Sequence, residues 1–393
     1  MNPKFLLPTL ALLVFSSVSE ADEADTERLK QLDREIAELE GERARLLETM
    51  PAPAAVDSGG LFDAQGQVNP KITDSVVIIE GDKSVGTGFI GSVGGKKYVY
   101  TAAHVFSGNS KLSARNSSGA SFRKFGVLEA AEGADLVRME ILEEVKNSLE
   151  FRPAEPPLQI NRKIAALGNG GGNGVVSVEQ GLVLGTSADS LEIDAAIIQG
   201  NSGGPVVEVE TGRVVGLATH LTLLRNSTTK RDAPQEKVRR FACRLDKEWK
   251  WKSMKIGAFL ESSEAVDRYK ALNDVCLAIM AGLPEYGGSR VRSIGSNDPA
   301  IQKILSDNQD HEMVKAYRSM FNEMLGGKSD PSTMEIRRRF GILVSTLISR
   351  AIQSENSLKP ETYAWFHRDR AMKAIVERKE CLVELNRELQ KLK

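Results

Sequence analysis

Four histidines occur in the chain, and one stands where a general base could be held rigidly. His104 follows the apolar run KYVYTAA, so it is expected at the end of a buried strand. Ser202 lies in GNSGGP, a segment whose glycines let the backbone turn tightly and bring N–H groups close to a bound group. Acyl transfer needs such donors, because its tetrahedral intermediate carries an oxyanion. The N–H groups of Gly200 and Ser202 are the natural pair, and one such donor is worth about 3 kcal/mol in the transition state. A serine hydroxyl is a poor nucleophile until a base removes its proton. The third group required is a buried carboxylate that fixes the histidine tautomer. Asp135 heads the apolar strand ADLVRMEI, between His104 and Ser202 in the chain. A carboxylate there is costly without a partner, and His104 is the expected one. Asp189 and Asp194 lie too near the serine loop to serve.

Ser202 also satisfies G-x-S-x-G, the nucleophile elbow of α/β-hydrolases. That motif needs a helix after the turn, whereas Pro205 and VVEV read as strand here. The run NGGGNG, 169–174, lacks the Gly-Lys-Ser/Thr ending of a phosphate loop and is expected to be a surface loop.

The elements that must position these groups are short Val- and Ile-rich runs separated by glycine-containing turns. Strands are expected at 75–80, 85–91, 96–102, 122–129, 135–141, 163–168, 175–184, 190–195, 205–209 and 213–220. Ten short strands at this spacing, with no helical pattern between them, describe an all-β barrel or sandwich rather than a parallel sheet.

TAAHV, GADLV and DAAIIQGNSGGP resemble the three signature segments of trypsin-fold peptidases, in that fold's order of His, Asp and Ser. The compact spacing and the DAAI lead-in are most similar to the bacterial HtrA-like (Deg) branch. VGTGFI at 85–90 and VVGLATH at 214–220 resemble the strands before the histidine and after the serine. The resemblance covers about 70–225. It implies a mainly β fold, two packed β-barrels with His104, Asp135 and Ser202 between them, and an oxyanion hole at Gly200, Asn201 and Ser202. It implies that Thr219 supports the aspartate. It puts Ala196 on the floor of the primary specificity pocket, with Ile197 and Ile198 beside it, favouring a small or aliphatic residue before the cut bond. His220 falls where substrate backbone would pair. The activity implied is that of a serine endopeptidase acting on protein or peptide substrates. The competing reading is a catalytically silent trypsin-fold scaffold. The PDZ domains usual in the HtrA-like branch have no counterpart after 225, so the chain is closer to trypsin-like peptidases without them.

Five segments flank this domain. Residues 1–21 resemble an export signal: Lys4, an apolar run from Phe5 to Phe15, then small residues spaced for cleavage after Ala21 or after Ser19. The run is shorter than the roughly 20 residues a membrane span needs. Periplasmic or secreted localisation is therefore expected. Residues 22–50 carry Leu29, Leu32, Ile36, Leu39 and Leu46 at heptad positions and are expected to form a coiled-coil-like helix, followed by a linker at 51–69. Residues 226–255 are rich in Lys and Arg and read as a basic linker whose Phe241, Trp249 and Trp251 pack on the barrel; contact with an anionic membrane surface is the weaker reading. Residues 256–393 read as helices, with starts at Asp298-Pro299, Asp330-Pro331 and Lys359-Pro360. Ile375, Leu382 and Leu389 make a second heptad seam, and the two terminal seams are expected to support a homo-oligomer.

Composition excludes some classes. Lys plus Arg number 52 and Asp plus Glu 53, so no global charge argues for nucleic acid. The three cysteines, Cys243, Cys276 and Cys381, match neither a metal site nor a disulfide scaffold. No metal or cofactor is expected.

Overall fold

The computed structural model describes residues 31, 34, 59–63, 65–225, 236–281, 284–285, 292–293, 299–326 and 333–391. The chain divides into Met1–Ser58 and Gly59–Lys393, and every element named below belongs to the second unit. The expected export signal lies outside the described residues, as does the coiled-coil-like helix apart from helical Gln31 and Arg34.

A short helix α1 (Pro70–Asp74), capped by the Asn69 side chain, leads into the first sheet. Its strands are β1 (Val76–Gly81), β2 (Val85–Val93), β3 (Lys96–Thr101), β4 (Leu112–Asn116), β5 (Ser121–Phe122), β6 (Phe125–Ala131) and β7 (Val137–Ile141). With β14 (Trp251–Met254) they run in the order β14-β6-β7-β3-β2-β1-β4-β5, antiparallel throughout. Between β3 and β4 lies the one-turn helix α2 (Ala103–Phe106). The second sheet closes on itself in the order β10-β13-β12-β11-β8-β9. Its strands are β8 (Lys163–Gly168), β9 (Ser177–Thr186), β10 (Ser190–Ile193), β11 (Pro205–Glu208), β12 (Val214–Arg225) and β13 (Glu236–Arg244). Closure leaves no unpaired strand edge. One core joins Val77, Phe89, Leu128 and Leu136 of the first sheet to Val207 and Val214 of the second, and another, with Ile164, Val183, Leu191 and Val206, fills the closed barrel. The fold is thus a half-barrel and a closed barrel, as the sequence predicts.

The segment 226–255 is not a linker where it is described. Glu236–Arg244 pairs with both β12 and β10 and closes the barrel, and Trp251–Met254 adds to β6. Among the described cations of this stretch, Arg239, Arg240 and Arg244 lie on β13 and are partly buried. Arg239 forks onto Glu192 of β10 at 2.8 and 2.6 Å, and the Arg138 guanidinium lies 4.1 Å from the Trp251 ring. The sequence EKVRRFACR carries no two-residue alternation, so pairing with β10 and β12 is what makes it a strand.

Helices then follow: α3 (Ile256–Ala281), α4 (Pro299–Asp307), α5 (Glu312–Gly326), α6 (Thr333–Ser357) and α7 (Trp365–Lys391). Pro299 opens α4 as expected; Asp298 and Asp330-Pro331 lie outside the described residues. Pro360 does not open the last helix. It starts a single 3-10 turn that ends at extended Tyr363, and α7 begins at Trp365. Ile375 and Leu382 of the expected seam are partly buried within the helical region, against cores containing Tyr269 and Val314 respectively. Those two positions are therefore spent inside this chain. All three cysteines are free and buried. Among the described residues no helix is long and apolar enough to cross a membrane, and no cluster of residues could hold a metal ion.

Candidate functional site

His104 sits in α2, directly after β3, because the strand ends where Ala102 caps a single helical turn. Asp135 precedes β7, after a turn between β6 and β7. Since β3 and β7 pair in register, the two residues meet. Asp135 Oδ2 lies 2.6 Å from His104 Nδ1, and Asp135 Oδ1 accepts from the His104 backbone N–H at 2.9 Å. The two-point contact fixes the ring and places the proton on Nδ1, leaving Nε2 as the basic nitrogen. Burial opposes protonation of His104, but the hydrogen bond and charge of Asp135 outweigh it and lift its pKa above the usual value; the Arg370 cation pulls the other way.

Ser202 stands on the turn that precedes β11. Its Oγ donates to the Thr219 carbonyl at 3.3 Å and makes no hydrogen bond to the His104 ring. That contact is long for O–H···O and holds the hydroxyl only weakly. The turn itself is tightly held. Thr87 N–H donates to Ser202 O at 2.9 Å, and Thr87 Oγ1 donates to Gly200 O at 2.6 Å while accepting from Asn169 N–H at 2.9 Å. Gly200 has φ +100°, and a Cβ there would lie 2.2 Å from Asn169 O. Gly203 has φ +86°, and a Cβ there would lie 2.1 Å from Thr87 O. Both positions exclude a side chain.

The 169–174 loop is exposed at its tip, as the sequence predicts, but it also backs the nucleophile turn. Gly171 N–H donates to Gln199 O at 2.9 Å. Because the peptide is trans, the Gly200 N–H points the opposite way, away from the glycine loop. Among the described residues, neither Gly200 N–H nor Ser202 N–H donates within the chain. Asn201 N–H does donate, to Ile198 O at 3.1 Å, so Asn201 is not available for the oxyanion role expected of it. The Asn201 side chain is buried with neither amide atom paired.

The remaining expected site residues divide. Thr219 does not support Asp135: its Oγ1 donates to Phe241 O and meets His220 Nδ1, each at 3.1 Å. The register shift in the β12–β13 pairing at this point turns its side chain toward β13. Ile197 is 4% exposed and packs in the closed barrel's core, so it lines no cleft. Ala196 and Ile198 are exposed. His220 is exposed on β12, its ring stacked on Phe241 with centroids 5.0 Å apart. Burial lowers its pKa; Asp135 opposes and His104 reinforces that shift. Thr87 and Asn169 were not singled out by sequence reasoning. The only signal was a threonine between two glycines in VGTGFI, on a strand otherwise apolar.

Residues 86–217 match the family described as "Trypsin-like peptidase domain". The chain contains a trypsin-like peptidase domain. Serine protease HTRA3 of Homo sapiens is 29% identical over 245 residues, 57% of this chain and 51% of that protein. Serine protease HTRA1 of Xenopus laevis is 32% identical over 168 residues, 40% of this chain and 35% of that protein. The chain therefore spans about half the length, or less, of these curated relatives. Among solved structures, a serine endoprotease from Yersinia pestis is 24% identical, with 44% of this chain and 59% of that chain covered and a TM-score of 0.34. The trypsin-like peptidase domain reaches beyond the matched segment here, since β13 closes its second barrel.

Proposed function

We propose that the chain is a serine endopeptidase in which Ser202 is the nucleophile, His104 the general base and Asp135 the group that orients the base. The observation that carries this reading is the two-point contact between Asp135 and His104, made beside a turn with two unspent N–H donors. For catalysis the Ser202 hydroxyl swings from the Thr219 carbonyl to His104 Nε2, which takes its proton as Oγ attacks the substrate carbonyl. The oxyanion forms against the N–H groups of Gly200 and Ser202. Protonated His104 then gives its proton to the leaving amine, and water, activated by the same ring, releases the acyl group from Ser202.

Specificity for a small or aliphatic residue before the cut bond fits the neighbourhood. No acid occurs in 195–199. The Arg240 guanidinium donates to Ile197 O at 3.3 Å, and this cation disfavours a Lys or Arg side chain nearby. His220, stacked on Phe241, follows directly on Thr219, whose carbonyl accepts from Ser202. A peptide-library profile led by Lys or Arg would refute this preference. Export to the periplasm or the medium is the localisation we propose, supported by Lys4 and the apolar run Phe5–Phe15.

A fluorophosphonate probe tests the chemistry. The wild-type protein should be labelled and Ser202→Ala should not. Wild-type protein that takes no label at any pH between 6 and 9 would favour the silent scaffold instead.

A further inference from the structure

The helical region after residue 255 supplies no group to the chemistry proposed above, yet it is built onto the helix that bears His104. Phe259 of α3 is fully buried in the same core as Ala102, Ala103, Val105 and Phe106, which flank His104. Ala364, just ahead of α7, belongs to that core as well. His367 of α7 is wholly buried, with its ring 4.2 Å from Phe259.

A polar network fastens the same place. Ser107 closes α2. Its Oγ lies 2.6 Å from Ser263 Oγ of α3, and Ser263 Oγ also accepts from Gly108 N–H at 2.8 Å. Arg370 of α7 donates from Nη1 to Ser107 Oγ at 2.7 Å and from Nη2 to Asp267 Oδ1 at 2.6 Å. Ser263 Oγ faces Asp267 Oδ2 at 3.5 Å. The donors are consistent: Arg370 donates to Ser107, Ser107 donates to Ser263, and Ser263 donates to Asp267. A planar guanidinium suits such a fork because both of its donors are fixed in one plane.

We propose that Arg370, acting with Ser263 and Asp267, is a positioning residue that clamps the end of α2 to the helical region and so holds the His104 ring toward Ser202. The proposal rests on the reading of His104 as the base. Arg370 also acts through its charge. The titratable groups that bear on His104 are Asp135 ahead of β7, His220 on β12 and Arg370 on α7, and of these only Asp135 favours its protonation. The Arg370 cation, though paired with Asp267 at 2.6 Å, opposes protonation of the base that its hydrogen bonds hold in place. A helical region with this role makes the endopeptidase dependent on a residue, Arg370, more than 250 positions from its histidine.

The test compares Arg370→Met, Arg370→Lys and Ser263→Ala in the full chain, with folding checked by circular dichroism. Turnover is read on a peptide substrate and the titration of His104 by imidazole NMR. Arg370→Met should lower kcat by about tenfold or more, in line with displacement of a catalytic group by a fraction of an ångström, and leave KM within about twofold. It should also raise the His104 titration midpoint. Arg370→Lys keeps the charge and should leave that midpoint near wild type while recovering only part of kcat. Ser263→Ala should lower kcat without moving the midpoint. A folded Arg370→Met with wild-type kcat and an unmoved midpoint overturns the proposal. If Arg370→Met does not fold, wild-type kcat in Ser263→Ala overturns it. Failure of the endopeptidase reading is separable: wild-type protein would then resist the fluorophosphonate, while the NMR midpoint would still report whether Arg370 acts on His104.

Discussion

Replacing Thr87 by Val isolates one hydroxyl at the back of the proposed oxyanion site. Valine keeps the β-branched shape that suits β2, so the strand itself should persist. What is lost is the 2.6 Å bond to Gly200 O and the 2.9 Å bond from Asn169 N–H. Thr87 is fully buried, so water cannot replace either partner in place. A buried main-chain group left unpaired costs about 1–3 kcal/mol, so two such groups predict a loss of about 2–6 kcal/mol in stability. The turn can recover part of this by moving to find other partners. That movement displaces the Gly200 and Ser202 donors, and losing one oxyanion donor lowers kcat by about 100- to 1,000-fold. The assay is paired: urea denaturation for stability and the rate of fluorophosphonate labelling for the site. Thr87→Ser retains the hydroxyl and should label at close to the wild-type rate. A Thr87→Val protein that labels as fast as wild type, with an unchanged urea midpoint, would refute the argument that this hydroxyl holds the turn.

Two further outcomes follow from ionisation. The labelling rate at Ser202 should rise with pH through a midpoint above 6.5, because Asp135 overcomes the burial of His104 and lifts its pKa, and only neutral His104 can act as base; a midpoint below 6.5 would contradict this. His367 should make the fold acid-sensitive. Burial, aided by the Arg370 cation, pushes its pKa down to about 3, so the unfolded chain binds a proton that the folded chain refuses. Its contribution is intact above the unfolded value of about 6.5 and is lost as pH falls toward 3, reaching about 3 kcal/mol near pH 4. His367→Phe should remove that much of the difference in urea stability between pH 7 and 4, and an unchanged difference would count against it.

How much of this was legible in the residues depends on how local the cause is. Ser202 in its glycine frame, His104 after an apolar strand and Asp135 at the head of another were all identifiable, because each demands residue types that adjacent positions advertise. Most strands were visible for the same reason, since a short Val- and Ile-rich run bounded by glycine-containing turns is written in its own sequence. β13 escaped because EKVRRFACR has neither a Val- and Ile-rich run nor an alternation, and only closure of the barrel against β10 and β12 makes it a strand. The shift at Thr219 was equally invisible, because register is set by the partner strand.

The sequence by itself determined the chemical groups and their order. The tertiary structure decided what holds them. Thr87 reaches Gly200 across 113 positions, and Arg370 reaches Ser107 across 263. A polar side chain inside a fold must find a partner wherever packing brings one, and that choice depends on the burial of the whole chain rather than on any neighbour in sequence.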